Sequence, residues 1–191
     1  MPFNIANLIT ACRIVLAPIL LLLAWQGKDG LFLACLIVSL ISDIVDGQIA
    51  RRFNLTSELG TRLDSWADLL TYASVPVALW WLRPDIVTTG KITFFAAIAS
   101  YVLPVAIGFV KFQRLTTYHT LMARVSAYML GVAVVVLFAH GPVLPFRIAV
   151  CVLVLAEVEE ICITLVLPEP RSNVRFLAKA IEIRRAASKG L

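Results

Sequence analysis

Six long apolar stretches, separated by short polar connections, limit what this chain can fold into. They occupy residues 14–25, 31–41, 69–82, 92–110, 125–139 and 148–168. Several approach the roughly 20 apolar residues that a helix needs to cross a bilayer. Hydrophobic residues make up 60% of the 191-residue chain and charged residues only 15%, which is unlike a water-soluble domain. We therefore predict an all-α integral membrane protein with six transmembrane helices.

The length of the chain favours a single domain. Six spans and their connections use nearly all of its residues, and neither a flexible linker nor an internal repeat divides them. We predict one membrane domain over residues 1–191, with an amphipathic segment over 1–12 and a basic tail over 171–191. The tail fits either an amphipathic helix on the inner leaflet or a solvated segment. Residues 1–12 lack the basic start of a signal peptide, so the first helix is expected to remain in the protein.

The distribution of basic residues predicts the orientation in the membrane. Thirteen of the 17 lysines and arginines fall on the side that six spans assign to both termini. Because positively charged connections stay in the cytoplasm, the termini and the connections near residues 52 and 116 are expected there. The expected location is a bacterial inner or plasma membrane. The net charge of +5 then indicates contact with anionic lipid headgroups, and no nucleic-acid partner is expected.

Four aspartates stand out against this apolar background. Asp43 and Asp46 are three residues apart, and Asp64 and Asp68 are four apart, so each pair shares one face of a helix. The short connection between the two helices makes them antiparallel neighbours, which brings both faces together on the cytoplasmic side. Converging carboxylates repel one another unless cations lie between them. Oxygen ligands with no cysteine or histidine nearby favour magnesium, manganese or calcium over zinc.

Small residues accompany the aspartates at helical spacing. Gly47 and Ala50 follow Asp43 at offsets of four and seven, and Gly60 precedes Asp64 by four. This spacing leaves room beside the carboxylates for a bulky planar or phosphorylated group. The alternative is that the small residues only let helices pack closely, as they do in membranes. Their combination with the aspartates favours a ligand site.

The segment from residue 43 to residue 68 resembles the signature of the CDP-alcohol phosphatidyltransferases. It reads Asp43-Ile-Val-Asp46-Gly47-Gln-Ile-Ala50-Arg51, then eight residues, then Gly60-Thr-Arg-Leu-Asp64-Ser-Trp-Ala-Asp68. All eight fixed positions of the family are filled at its spacing. The segment Asn4-Ile-Ala-Asn7-Leu-Ile-Thr10-Ala-Cys-Arg13 is similar to the amphipathic segment before the family's first helix. Beyond Tyr72 it is mostly the topology that agrees.

The resemblance implies an enzyme of phospholipid biosynthesis that transfers a phosphatidyl group from CDP-diacylglycerol to a small alcohol and releases CMP. It implies two divalent ions, Mg²⁺ or Mn²⁺, held by Asp43, Asp46, Asp64 and Asp68. Asp68 would also remove the proton from the attacking hydroxyl. The residues implied for binding the CDP-linked lipid are Ala6, Asn7, Gly47, Ala50, Arg51, Ser57 and Gly60. Members of the family are usually homodimers.

The candidate residues for binding the acceptor lie in the second half of the chain. Candidate ligands for a phosphorylated acceptor such as glycerol 3-phosphate are Lys111, Arg114, His119 and Arg124. Lys111 and Arg114 fit a loop anchor as well, and His119 fits a helix cap. Phosphatidylglycerophosphate synthases commonly carry Ala-Arg-Glu in helix 4 and Gly-Lys-x-Lys-Thr before helix 5, and this chain has Ser100-Tyr-Val-Leu-Pro104 and Leu121-Met-Ala-Arg124-Val instead. Inositol phosphate, serine or another alcohol are therefore alternative acceptors.

Two further features leave alternatives open. Glu157, Glu159 and Glu160 lie near the middle of the sixth predicted helix, where acids are not expected to face lipid. They are expected to pair with Arg124 or Arg13, to line an acceptor cavity or to stabilise a dimer contact. A divalent cation transporter is the alternative function of another class, but it would spread its acids along a pathway instead of gathering them at one end of two helices.

Overall fold

The computed structural model describes residues 5–52, 58–112, 120–167 and 176–189. Within these ranges the chain is helical and contains no strand, which confirms the prediction of an all-α membrane protein. The helices are α1 (Ile5–Trp25), α2 (Asp29–Arg52), α3 (Glu58–Leu82), α4 (Pro84–Thr89), α5 (Lys91–Phe112), α6 (Leu121–Phe138), α7 (Leu144–Val166) and α8 (Leu177–Lys189).

All six predicted spans are long helices, but they differ in how apolar they are. Among the described residues, four helices are long and apolar enough to cross a membrane, namely α1, α2, α5 and α6. Helix α3 carries aspartates among its apolar residues, and α7 carries three glutamates, and neither is among these four helices. That α3 and α7 also cross the bilayer stays a prediction.

Contacts divide the chain into two compact units. The first comprises residues 1–89 and 138–141 and contains α1 to α4. The second comprises residues 90–137 and 142–191 and contains α5 to α8. Within the first unit α1 packs against both α2 and α3, and within the second α7 packs against α5 and α8. The prediction of a single domain stays a prediction.

A tight turn makes α1 and α2 antiparallel neighbours. Gly27 has φ +67°, the left-handed conformation that glycine adopts without strain. The N–H of Lys28 donates to the carbonyl of Leu23, and the N–H of Gly27 donates to that of Ala24. These two bonds form a Schellman motif, which ends α1 and reverses the chain. As a result the last turns of α2 return to the first turns of α1.

Apolar side chains hold this hairpin together on the side of the turn. Leu20 of α1 and Phe32 and Leu36 of α2 have no exposed surface. The ring of Phe32 lies 4.6 Å from that of Phe138, measured between centroids. Burying each of these side chains contributes about 1.5–3 kcal/mol relative to leaving it exposed. The packing fixes the relative position of α1 and α2, and with it the polar end where α2 finishes.

Three helix boundaries differ from the sequence prediction. Helix α1 runs without a break from Ile5, so the described part of the predicted 1–12 segment continues directly into the first span. Helix α2 extends to Arg52, well past its apolar stretch, and carries Asp43 and Asp46 on its last turns. The short helix α4 was not predicted. It begins at Pro84, whose fixed φ suits the first position of a helix.

The described part of the basic tail forms helix α8, so it is helical as in the first of the two alternatives, while its position on the inner leaflet stays a prediction. Its apolar residues pack inside the second unit, since Ala180 is fully buried in a cluster with Ile163 and Leu167 of α7. The carboxylate of Glu159 also accepts a hydrogen bond from the N–H of Leu177 at 3.2 Å, at the first residue of α8. Helix α8 is therefore docked on α7 as well as being basic on its exposed side.

Candidate metal centre

The four aspartates meet where three helices of the first unit come together. Asp43 and Asp46 lie on the last turns of α2, and Asp64 and Asp68 lie on the second and third turns of α3. Carboxylate oxygens of Asp43, Asp64 and Asp68 lie within 4.8 Å of one another, close enough to share a metal ion. The structure thus brings together residues that are up to 25 positions apart in the sequence.

The side chain of Arg13, on α1, lies among these carboxylates. Its guanidinium group contacts all four aspartates while the side chain is only 3% exposed. The distances from Nη1 are 2.7 Å to Asp43 Oδ1, 3.5 Å to Asp46 Oδ2 and 3.3 Å to Asp64 Oδ1, and that from Nη2 is 2.5 Å to Asp68 Oδ1. Arg13 Nε is buried and has no hydrogen-bond partner. A single buried cation therefore connects both acidic helices to α1.

Asp46 differs from the other three carboxylates in its surroundings. Its side chain is 4% exposed, against 38% for Asp43, 50% for Asp64 and 35% for Asp68. Its Oδ2 accepts a hydrogen bond from the hydroxyl of Thr10 at 2.8 Å. Thr10 precedes Arg13 by three residues and so lies on the same face of α1. Asp46 is held inside the protein, whereas the other three carboxylates remain accessible to a solute.

The centre is short of positive charge. Four carboxylates and one guanidinium leave an excess of three negative charges when all are ionised. Asp64 and Asp68 precede the apolar stretch of α3, and burial raises the pKa of both carboxyl groups. The pKa of Asp68 rises to about 6, because burial disfavours its charge and the carboxylates of Asp43 and Asp64 repel it.

These properties match what hard divalent cations require. All of the donor atoms are carboxylate oxygens, the ligands that Mg²⁺ and Mn²⁺ prefer. The excess negative charge is of the order that one or two divalent ions neutralise. Three of the four carboxylates are within reach of one ion and are open to solvent. The residues present therefore fit a divalent metal centre.

The structure describes only some of the residues that the resemblance implies for binding the CDP-linked lipid. Gly47 follows Asp46 on α2 and Gly60 lies one turn before Asp64 on α3, and both are half-buried. Ala6 and Asn7 belong to the first turn of α1, and Ala50 and Arg51 to the last turn of α2, but their side chains lie outside the described residues. The whole of Ser57 lies outside them as well.

Lys111 has a structural role that matches the anchor alternative. Its Nζ donates hydrogen bonds of 2.9 Å to the carbonyl oxygens of Thr164, Leu165 and Leu167. These carbonyls belong to the end of α7, where the helix leaves its last carbonyls without partners. An ammonium group has three N–H donors, and all three are used here. Lys111 thus ties the end of α5 to the end of α7.

Of the other acceptor candidates, Arg124 belongs to the described residues. Arg124 is exposed on the first turn of α6, and its role at the acceptor stays a prediction. The cap of α6 is Thr120, whose Oγ1 accepts a hydrogen bond from the N–H of Ala123 at 3.0 Å. A capping role is one of the two alternatives predicted above for the neighbouring residue, His119. His119 and Arg114 lie outside the described residues.

Glu159 and Glu160 of α7 differ in their surroundings. Glu159 binds the first residue of α8, Leu177, and one of its oxygens is buried without a partner. Glu160 is 8% exposed. Arg13, one of the partners suggested for these glutamates, instead binds the four aspartates.

Sequence reasoning missed two residues of the centre, Thr10 and Arg13. Arg13 was counted among the basic residues that set the orientation, and Thr10 only as part of the segment before the first helix. A signal was present, because an ionisable residue inside an apolar helix usually has a partner of opposite charge. The spacing of Thr10 and Arg13 on one face of α1 points the same way.

The site and the fold agree with a comparison to protein families. Residues 3–158 match the family model of the CDP-alcohol phosphatidyltransferases. This match covers most of the chain and includes all four aspartates. The chain belongs to the CDP-alcohol phosphatidyltransferase family.

Relatives with assigned names come from bacteria and animals. A cardiolipin synthase (CMP-forming) of Streptomyces coelicolor is 37% identical over 84 residues, which are 41% of this chain and 39% of the relative. A CDP-diacylglycerol–glycerol-3-phosphate 3-phosphatidyltransferase of Salmonella choleraesuis is 32% identical over 93 residues, 43% of this chain and 50% of the relative. A human cardiolipin synthase (CMP-forming) is 30% identical over 121 residues, 63% of this chain and 39% of the relative. The chain thus spans at most half the length of these relatives, and no solved structure matches it.

Proposed function

We propose that this protein transfers a phosphatidyl group from CDP-diacylglycerol to an alcohol and releases CMP. One observation supports the proposal most strongly: four aspartates in the order and spacing of the family signature converge at one end of α2 and α3. A transporter would need acids along a pathway, and here they are gathered at a single place. Two of the relatives described above carry CMP formation in their names.

The charge of the centre suits a reaction at a diphosphate. We propose two divalent ions, Mg²⁺ or Mn²⁺, at Asp43, Asp46, Asp64 and Asp68. When bound, such ions neutralise the diphosphate and stabilise the CMP that leaves. Their four positive charges exceed the three negative charges of the centre, so a surplus remains to attract an anionic substrate. Accessible carboxylates at Asp43, Asp64 and Asp68 leave a place for that substrate.

Asp68 is the proposed base. The hydroxyl oxygen of the acceptor attacks the phosphorus of the phosphatidyl group, the phosphorus–oxygen bond to CMP breaks, and the hydroxyl proton passes to the carboxylate of Asp68. Its side chain is 35% exposed, so an incoming hydroxyl can reach it. A base must lie within hydrogen-bond reach of the proton that it removes. This role requires Asp68 to separate from Arg13 Nη2, which lies 2.5 Å from its Oδ1.

The proposed donor site lies beside the metal centre. Gly47 and Gly60 lie next to the aspartates on α2 and α3, where the absence of side chains leaves room for a nucleotide. Arg51 follows Gly47 by one helical turn, and its guanidinium is suited to binding phosphate oxygens. Ala6, Asn7, Ala50 and Ser57 complete the proposed contacts. The acyl chains of the donor remain in the bilayer that α1 and α2 are apolar enough to cross.

The proposed acceptor is a glycerol compound. The relatives' names include a glycerol-3-phosphate phosphatidyltransferase and cardiolipin synthases, and cardiolipin results when a phosphatidyl group is added to phosphatidylglycerol. Both acceptors carry a free glycerol hydroxyl and a phosphate. Arg124, exposed on α6, remains the candidate for binding that phosphate. Lys111 is a poorer candidate, because its ammonium group already binds three carbonyls.

Orientation and assembly complete the proposal. The excess of basic residues near the metal-binding end favours a centre that faces the cytoplasm, as in a bacterial inner membrane. A homodimer is proposed from the usual state of the family.

The test is a reconstituted transfer assay. Purified protein receives CDP-diacylglycerol, Mn²⁺ or Mg²⁺, and in separate reactions glycerol 3-phosphate, phosphatidylglycerol, inositol phosphate or serine. Mass spectrometry identifies the lipid product, and CMP is measured in parallel. We expect CMP and a phosphatidylated product with one of the two glycerol compounds, and no CMP when EDTA removes the metal. Uptake of Mn²⁺ into liposomes without CMP release from any acceptor would instead indicate a transporter.

A further inference from the structure

Arg13 is not part of the family signature, yet it touches every aspartate of that signature. It lies on α1, and only 2% of the residue's surface is exposed. Its guanidinium group bridges the acidic turns of α2 and α3. Thr10 supports the same arrangement by binding Asp46 from one turn earlier. Among the described residues, Arg13 is the cation in contact with this cluster.

The position of Arg13 conflicts with simultaneous metal binding by the accessible carboxylates. Nη1 lies 2.7 Å from Asp43 Oδ1 and 3.3 Å from Asp64 Oδ1, and Nη2 lies 2.5 Å from Asp68 Oδ1. Mg²⁺ binds such oxygens at about 2.0–2.1 Å. An ion shared by Asp43 and Asp64 would therefore lie against the guanidinium nitrogen already between them. Two cations at such a distance also repel each other strongly.

We propose that Arg13 is a built-in counter-cation, a positioning residue that holds the four carboxylates together before metal binds and releases Asp43, Asp64 and Asp68 to divalent ions. The inference rests on the proposed function in so far as it takes divalent ions to be the ligands of this centre. Without Arg13, four carboxylates would face one another at the end of a membrane helix bundle, and their repulsion would oppose folding. With Arg13 present, the chain can fold first and bind metal afterwards, at the cost of weaker metal binding.

Because Arg13 and metal compete, one substitution at Arg13 is expected to have opposite effects on stability and on metal affinity. Arg13→Gln removes the positive charge and keeps a polar side chain. The metal-free protein is then less stable, because the repulsion among the aspartates is no longer offset. The same variant binds divalent ions more tightly, because no guanidinium has to leave the carboxylates. A residue that merely packs in the core would lower stability without tightening metal binding.

The experiment measures Mn²⁺ binding and thermal unfolding without any lipid substrate. Free Mn²⁺ is quantified by electron paramagnetic resonance during titration of protein that has been stripped with EDTA, and melting is followed with EDTA and with saturating Mn²⁺. For Arg13→Gln we expect a Kd for Mn²⁺ at least about tenfold lower than that of the wild type. We also expect a metal-free Tm lower by about 4 °C or more and a larger rise of Tm on adding Mn²⁺.

Two control variants separate charge from structure. Arg13→Lys retains the positive charge, so its Kd for Mn²⁺ should stay near that of the wild type. Arg147→Gln removes an exposed arginine from α7, in the other compact unit, and should change neither quantity. If Arg13→Gln is recovered folded only when Mn²⁺ is present, that result also supports the proposal.

Other results would overturn the proposal. A folded Arg13→Gln protein whose Mn²⁺ affinity is unchanged or weaker would show that Arg13 does not compete with metal. Aggregation of Arg13→Gln even in saturating Mn²⁺ would show that metal cannot replace it. Because these readouts need no substrate, absence of CMP release by the wild type would count against the proposed function and leave the role of Arg13 standing.

Discussion

The hydroxyl of Thr10 on α1 donates a hydrogen bond of 2.8 Å to Oδ2 of Asp46 on α2, and both side chains are buried. This bond and the contact with Arg13 fix the most enclosed of the four carboxylates. Asp46 therefore marks the enclosed side of the centre, while Asp43, Asp64 and Asp68 lie on the accessible side.

Replacing Thr10 by Val should destabilise the protein without removing any charge. Valine has nearly the same shape but cannot donate to Asp46, and a buried charged acceptor that loses a partner costs about 1–3 kcal/mol. For a chain of this size that corresponds to a fall in Tm of several degrees. Thermal melting in EDTA measures it, with Thr10→Ser as the variant that keeps the hydroxyl. Equal melting of Thr10→Val and the wild type would mean that the bond contributes nothing.

Neutralising Asp64 or Asp68 should abolish transfer while the fold persists. We expect Asp64→Asn and Asp68→Asn to lower CMP release at least about a hundredfold, the minimum effect expected for loss of a general base or metal ligand. Asp29→Asn is the matched control, since Asp29 is an aspartate at the opposite end of α2 from Asp43. Thermal melting of each variant checks that it is folded. Activity within a few-fold of the wild type for Asp68→Asn would rule out its role as the base.

Lys111→Met should affect stability more than acceptor binding. The substitution removes three charge-assisted hydrogen bonds to the end of α7, a position where a cation is favourable. We expect a lower Tm and an unchanged KM for the acceptor. Lys91→Met, at the first residue of the same helix α5, is the control and should melt like the wild type. A large rise in the acceptor KM without loss of stability would instead indicate that Lys111 binds the acceptor.

Helix α8 should detach when a charge is placed on its buried side. Ala180 is fully buried against Ile163 and Leu167, whereas Ala178 of the same helix is exposed. Burying an unpaired carboxylate is strongly unfavourable, so Ala180→Glu should expose the backbone of α8. Hydrogen–deuterium exchange of residues 177–185 measures this, and Ala178→Glu should leave the exchange unchanged. Equal protection in both variants would mean that the cluster does not hold α8.

The helices and the acidic cluster could be predicted from the sequence because each depends on local spacing. Apolar stretches of span length predict the long helices, and the offsets within Asp43–Asp46 and Asp64–Asp68 place each pair on one helix face. The signature spacing then indicates that the two faces meet. These features need only the period of the α-helix and the short connection between α2 and α3.

The remaining features depend on contacts between distant parts of the chain. Arg13 is 55 positions from Asp68, and no local pattern reveals that α1 packs against α3. Lys111 meets carbonyls more than 50 positions away, and a lysine near a helix end fits a ligand site as well as a cap. The docking of α8 on α7 likewise follows from which side of a short basic helix finds an apolar partner.

Electron paramagnetic resonance of Mn²⁺ bound to the purified, substrate-free protein tests the metal centre most directly. An aspartate centre that holds two ions predicts two bound Mn²⁺ per chain with the spectrum of a magnetically coupled pair, as expected for ions about 3.5–4 Å apart. The coupled signal should disappear in Asp64→Asn. Binding of Mn²⁺ by the wild type at no more than the level of that variant would contradict a metal centre at these residues.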